Sequence, residues 1–229
     1  MGCNKLILGG LGLAAAALVG TSASAANLVS NGSFEDKSGF VADSNDTMTL
    51  GAGSTTMNGW TVITNDTAWI GPSNPFGITA QDGDYSLDLQ GYSDGSPYSG
   101  VTQNLSTVNG AVYELTFQLG SFANAPTGLT ASAGTGSQTF TTTAQNAYGW
   151  QQESLTFTAT GASTLLTLQG VQANNAYIGL DNVDVTCLRS CSVNGGVPEP
   201  ATWAMLIAGV FSVGGAIRSR RAKPASLLA

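Results

Sequence analysis

The 229-residue chain predicts an all-β class: an exported antiparallel β-sandwich in jelly-roll or related topology, followed by a C-terminal transmembrane helix. Three observations carry that expectation. Between Ala26 and Thr186, short runs of alternating apolar and polar residues are separated by clusters of Gly, Asn, Asp and Ser. No segment in that span has a helical period. The chain closes with an apolar stretch from Ala201 to Ile217, followed by Arg218, Arg220 and Arg221.

The first element is a targeting segment. Lys5 supplies a basic n-region, Leu6 to Val19 an apolar h-region and Ala23-Ser24-Ala25 an A-x-A cleavage site, so residues 1–25 read as a secretory signal peptide. Cys3 precedes the h-region, which excludes a lipoprotein signal, and it leaves with the peptide.

Residues 26–190 form the expected exported domain. Val112 to Leu119 places Tyr113, Leu115, Phe117 and Leu119 on one face. Tyr85, Leu87 and Leu89 alternate likewise against Asp84, Ser86, Asp88 and Gln90, whose polar side reads as a solvated edge. Further strands are expected at Trp60 to Thr64, Gly100 to Leu105, Ser154 to Ala159, Thr164 to Gln169 and Tyr177 to Thr186. Asp36 to Thr56 is poor in apolar residues and reads as an insertion. Gly120 to Tyr148, rich in small and hydroxyl residues, reads as one or two thin strands with long turns. Trp60 and Trp150 each lead into a strand and are assigned to the core; Trp69 is unassigned. The absence of a strict repeat weighs against a β-helix or a repetitive ice-binding face.

Composition narrows the function. Between Ala26 and Val197 only Lys37 and Arg189 stand against thirteen Asp and Glu, a net charge of −11. Such a domain repels nucleic acid and anionic lipid and suits neutral sugars, cations or simple solubility. The chain has no histidine, which excludes Ser-His and Cys-His nucleophile systems. It also lacks a phosphate loop and a dinucleotide fingerprint, and no pair of carboxylates reads as a glycosidase couple. The expectation is a protein that is not an enzyme. Cys187 and Cys191, in a compartment where disulfides persist, favour a bridge at the end of the last strand, provided the backbone turns between them. A metal site at these cysteines is the weaker alternative.

Residues 191–200 form a linker ending in Val197-Pro198-Glu199-Pro200, residues 201–217 the helix and residues 218–229 a basic tail. About 17 apolar residues is the short end of a bilayer span, and the arginines act as a stop on the cytoplasmic side. In order and position these three parts resemble the PEP-CTERM sorting signal of Gram-negative bacteria. That resemblance implies export through the inner membrane, processing by an exosortase-type enzyme and delivery to the cell surface. An ordinary tail anchor with a chance Pro-Glu-Pro is the alternative.

A second resemblance covers nearly the whole exported domain. Asn27-Leu-Val-Ser-Asn-Gly-Ser-Phe-Glu35, Asp82-Gly-Asp-Tyr-Ser-Leu-Asp-Leu-Gln-Gly91, Gly100-Val-Thr-Gln-Asn-Leu105, Tyr113-Glu-Leu-Thr-Phe117 and Gly179-Leu-Asp-Asn-Val-Asp-Val185 occur in the order seen in galactose-binding-like β-sandwiches. The pattern is similar to the choice-of-anchor C type of cell-wall proteins. It implies a carbohydrate-binding module and a structural calcium held by Glu35 and Asp181; the alternative makes both solvated turn acids. Sugar binding needs aromatic faces beside amides or carboxylates. Phe76, Tyr92, Tyr98 and Tyr148 are the loop aromatics so flanked, against the alternative of packing at the rim. The expected function is binding or organising extracellular polysaccharide. A structural or adhesive surface protein that binds no sugar is the alternative.

Overall fold

A strand that alternates apolar and polar side chains can bury only one face, so two such sheets must close their apolar faces on each other. The computed structural model describes residues 26–92, 96–121, 126–142, 149–173 and 177–191. The signal peptide, the Val197 to Pro200 motif, the 201–217 helix and the Arg218, Arg220 and Arg221 cluster lie outside these residues. Among the described residues no helix is long and apolar enough to cross a membrane.

Among the described residues eleven strands follow one another: β1 (Thr47–Leu50), β2 (Thr61–Ile63), β3 (Thr67–Ile70), β4 (Ser86–Asp88), β5 (Gly100–Ser106), β6 (Val112–Ser121), β7 (Thr127–Ala133), β8 (Gly136–Thr142), β9 (Gly149–Thr158), β10 (Ser163–Ala173) and β11 (Gly179–Arg189). They form a six-stranded sheet in the order β1-β3-β4-β11-β6-β9 and a five-stranded sheet in the order β2-β5-β10-β7-β8. Every pairing is antiparallel. The all-β, two-sheet sandwich expected from the alternation is present.

The inner faces meet in one core. Leu115, Phe117 and Leu119 of β6 pack with Val101 and Leu105 of β5 and Leu166 and Leu168 of β10, all essentially inaccessible to solvent. Trp60 and Phe34 close one part of it with ring centroids 5.6 Å apart, and Tyr113 stacks on Phe157 at 5.4 Å. Each such side chain contributes about 1.5–3 kcal/mol on burial. The N-terminal segment joins the same fold. Leu28 donates its N–H to the Val185 carbonyl at 2.9 Å, Val183 donates to the Gly32 carbonyl at 2.9 Å, and the Asn27 side chain accepts from the Val185 N–H at 3.0 Å.

Four expectations need correction. The Asp36 to Thr56 segment carries the edge strand β1, with Leu50 buried, so it is more than an insertion. Strand β3 was not expected, because all four of its residues are buried and no alternation marks it; its Trp69 is a core residue with 0% exposure. Ser86, Asp88 and Gln90 are buried rather than solvated: β4 lies between β3 and β11, and its outer face sits beside the buried cluster of Ala68, Ile70, Ile78 and Tyr177, with Ala68 opposite Asp88 and Ile70 opposite Ser86. Trp150 is outside the main core and partly exposed, because β9 starts at Gly149 and turns the indole to the outer face.

Candidate functional site

The outer faces of the two sheets differ in chemistry. None of the five strands β2, β5, β10, β7 and β8 contains Asp, Glu, Lys or Arg. Alternation turns Thr102, Asn104 and Ser106 of β5 outward, and with them Leu165, Thr167, Gln169 and Val171 of β10. Strand pairing then aligns Thr61 with Thr102, Thr102 with Thr167, Thr167 with Ser132, and Ser132 with Ser137. One row of hydroxyls therefore crosses all five strands, a span of about 19 Å at ordinary strand spacing.

The neighbouring row is held by side chains. Thr130 and Thr139 hydroxyls bond each other at 2.7 Å. The Gln169 amide donates to the Tyr98 and Ser99 carbonyls at 2.5 and 3.1 Å, while its oxygen accepts from the Thr64 hydroxyl at 3.0 Å. Beside the first row, where the three-residue β2 leaves part of β5 uncovered, lies a recess of about 300 Å³ lined by Ser30, Gly59, Thr61, Thr102, Gln103 and Asn104. Gln103 is fixed there by accepting from the Ser30 N–H at 2.7 Å and donating to the Ser30 carbonyl at 2.9 Å. The face is uncharged throughout, hydroxyls and amides interspersed with the exposed aliphatic side chains of Leu165 and Val171.

The six-stranded sheet carries the ionisable groups. Asp181 on β11 is fully buried; its Oδ2 accepts from the N–H of Gln81 at 2.7 Å and of Asp82 at 3.0 Å, and its Oδ1 from the N–H of Asn182 at 2.7 Å. Glu35 Oε1 accepts from the N–H of Asp84 and Tyr85 at 2.8 and 2.7 Å. The two carboxylates thus clasp the 81–85 loop from both sides. Burial pushes the Asp181 carboxyl up to about 6, against the lowering effect of its three N–H donors. Asp88, buried next to β11, accepts from the Ile178 and Gln90 N–H groups and is pushed up to about 7, chiefly by burial and further by the charge of Asp66.

The calcium that the sequence resemblance implies does not suit this donor set. It requires six to eight oxygens, yet Glu35 Oε1 and Asp181 Oδ2 each already accept two peptide N–H groups. Among the described residues no group of three or more His, Cys, Asp or Glu side chains converges on a metal-sized site.

The described loop aromatics expected to bind sugar attach to different parts of the sandwich. Tyr92 is 49% exposed and its hydroxyl bonds Thr47 of β1 at 2.6 Å, on the six-stranded side. Tyr98 packs partly buried against the core, its carbonyl tied to Gln169 of the five-stranded sheet. Phe76 is 43% exposed in the loop after β3. Tyr148 lies outside the described residues. Cys187 and Cys191 are joined by a disulfide with Cα atoms 6.0 Å apart. The residues that sequence reasoning missed are the hydroxyl row and Trp150. The signal available for the row was the complete lack of charge in Gly100 to Leu105 and Thr164 to Gln169 within an acidic domain.

Fold and site together define a two-sheet antiparallel β-sandwich with one uncharged, hydroxyl-lined outer face. The chain belongs to the DUF642 family, described as proteins of unknown function, whose family model matches residues 27–186. It is 30% identical over 167 residues to halomucin of Haloquadratum walsbyi; the match takes in 72% of this chain and 2% of that protein's length. Among solved structures it is similar to TmCBM61 in complex with beta-1,4-galactotriose, with 14% identity, a TM-score of 0.43, and coverage of 71% of this chain and 99% of that one. It is likewise similar to the CBM22-1 xylan-binding domain of Paenibacillus barcinonensis Xyn10C, with 17% identity, a TM-score of 0.39, and coverage of 66% and 100%.

Proposed function

We propose that the sandwich is a non-catalytic surface module that binds neutral extracellular polysaccharide along the outer face of its five-stranded sheet. One observation carries this reading: a strongly acidic domain leaves one whole sheet without a charged residue and lines it with the aligned hydroxyls of Thr61, Thr102, Thr167, Ser132 and Ser137. An uncharged polyol exchanges hydrogen bonds with such a face and desolvates no ion. Anionic polymers are repelled by the rest of the domain. The recess beside β5 provides a place where a side branch or chain end can enter between Ser30 and Asn104.

A glycan array probed with the purified chain tests the reading, with Thr167→Arg as control. The variant puts a long charged side chain in the middle of the row and should weaken binding to neutral glycans at least ten-fold, about 1.4 kcal/mol. Undiminished binding by Thr167→Arg removes the site from this face, and an array without any bound glycan favours the adhesive scaffold.

Placement at the cell surface belongs to the same proposal and rests on the tail. Replacing Pro198 and Pro200 by Ala should leave a larger, unprocessed species in the inner membrane of a bacterium that carries an exosortase. Unchanged release of the double variant would contradict PEP-CTERM sorting.

A further inference from the structure

The outer face of the six-stranded sheet is not uniformly polar. Gly120 of β6 stands opposite Gly179 of β11 on one side and Trp150 of β9 on the other. A Cβ at position 120 would lie 2.8 Å from Trp150 Cζ3 and 2.9 Å from Tyr177 Cε1, and one at 179 would lie 2.5 Å from the Tyr177 hydroxyl. Only glycine fits at either place, so the two residues form a bare floor on which two rings lie against the outside of the sheet. The rings meet edge to face with centroids 6.1 Å apart. Ala68, Ile70 and Ile78 complete this satellite cluster, separate from the main core.

Within the cluster the two rings have different exposure. Tyr177 is 1% exposed, as a packing residue should be. Trp150 remains partly open, whereas Trp60 and Trp69 are at 1% and 0%. Its indole N–H donates to the Thr79 carbonyl at 3.0 Å, which fixes the plane of the ring. Along the strands, the next outward row runs from Gln152 through Gln118 to the buried Asp181, and the one after it from Ser154 through Thr116 to Asp184, each row about 7 Å beyond the last. On the β9 and β6 side nearest Trp150 the groups are amides and hydroxyls. An aromatic face held rigid beside amides and hydroxyls is the combination a pyranose requires, the ring for its C–H face and the amides for its hydroxyls.

We infer that Trp150, with Gln118 and Gln152, forms a second binding site for neutral sugar rings, and that the module holds two glycan chains at once, one on each sheet. The inference rests on the reading of the five-stranded sheet as a glycan site and extends it from binding to cross-linking. The outer faces of a sandwich point in opposite directions, so a single stiff chain cannot occupy both sites. Two chains bridged by one domain become a junction, and many domains along a polymer raise its effective affinity without new contacts.

The experiment mixes the purified chain with dextran, xylan and galactan in turn, reading binding by affinity electrophoresis and cross-linking by light scattering. Wild-type protein should bind at least one polymer and raise its scattering. Trp150→Ala should still bind that polymer but lose at least ten-fold in scattering, and Gln152→Arg, at an exposed position outside the aromatic cluster, should do the same if Trp150→Ala does not fold. Trp150→Phe, which keeps a ring, should restore most of the signal. Thr167→Arg should abolish cross-linking through the other face. Scattering by Gln152→Arg and Trp150→Ala equal to wild type overturns the second site, while loss of all binding in Thr167→Arg under those conditions leaves the first site standing. If Thr167→Arg instead binds and cross-links as wild type, the five-stranded face is excluded, and the two-site inference goes with it. If wild type binds none of the three polymers, both readings fall.

Discussion

The six-stranded and five-stranded sheets share one core and divide the remaining work. Every charged strand residue among those described, Asp88, Glu114, Glu153, Asp181, Asp184 and Arg189, belongs to the six-stranded sheet. There, Asp88 and Asp181 accept backbone hydrogen bonds that fix loops and neighbouring strands. The five-stranded sheet contains no ionisable side chain and turns the hydroxyls of Thr61, Thr102, Thr167, Ser132 and Ser137 outward. Buried carboxylates stabilise a fold only while their donors stay in place, so the sheet that carries them is the structurally constrained one. The other can change its outer side chains at little cost to the core.

Mutation should separate the two sheets most strongly at Asp181. Asp181→Ala leaves the N–H groups of Gln81, Asp82 and Asn182 without their acceptor at a position of 0% exposure, a loss of about 4 kcal/mol in urea denaturation. Thr167→Arg should lose less than about 1 kcal/mol in the same assay, as an outward substitution. The melting curve should not move when a calcium chelator is added, because the loop is held by peptide N–H groups; a chelator-sensitive curve would place a cation in the clasp.

The pH dependence is the smaller effect. Asp88 and Asp181 have folded-state values of about 7 and about 6, both above the ordinary 3.8. A raised carboxyl favours the folded state fully below its unfolded value, and that stability is lost as pH rises through the folded value. The domain should therefore lose about 4 kcal/mol between pH 5 and pH 8, and Asp88→Asn should flatten most of the slope. Thr167→Arg should keep the wild-type slope. A flat wild-type profile would show that these carboxyls are hydrated in solution and would erase the contrast between the sheets.

Much of the sandwich was legible because its longer strands bury one face. Val112 to Leu119, Gly100 to Leu105 and Thr164 to Gln169 alternate in sequence, and each lies within a strand of the structure. Strand β3 was invisible for the opposite reason: covered on both sides, Thr67 to Ile70 has no polar face to mark a period. Ser86 and Asp88 misled because a polar residue in an alternating run reads as solvated, whereas Asp88 is buried and bonded to the Ile178 N–H. The candidate site was harder still. Thr61, Thr102, Thr167, Ser132 and Ser137 belong to five separate strands, and only strand register puts their hydroxyls in line. A tryptophan that leads into a strand reads as core, yet Trp150 lies within β9 on its outer side, where the glycines at 120 and 179 make room for the ring.

The hydrogen bonds between Asn27, Leu28 and the strand at Val183 and Val185 have a mechanical consequence. From Val185, strand β11 runs four residues further to its end at Arg189, about 14 Å, so both ends of the strand system are tied side by side. Segments 156 residues and more apart in sequence are thereby stitched together, so a force that peels the N-terminal segment must break these bonds to β11 before it reaches the hydroxyl-lined sheet. A domain whose ends are fastened to each other can be repeated or inserted in a longer chain without rearranging its sheets.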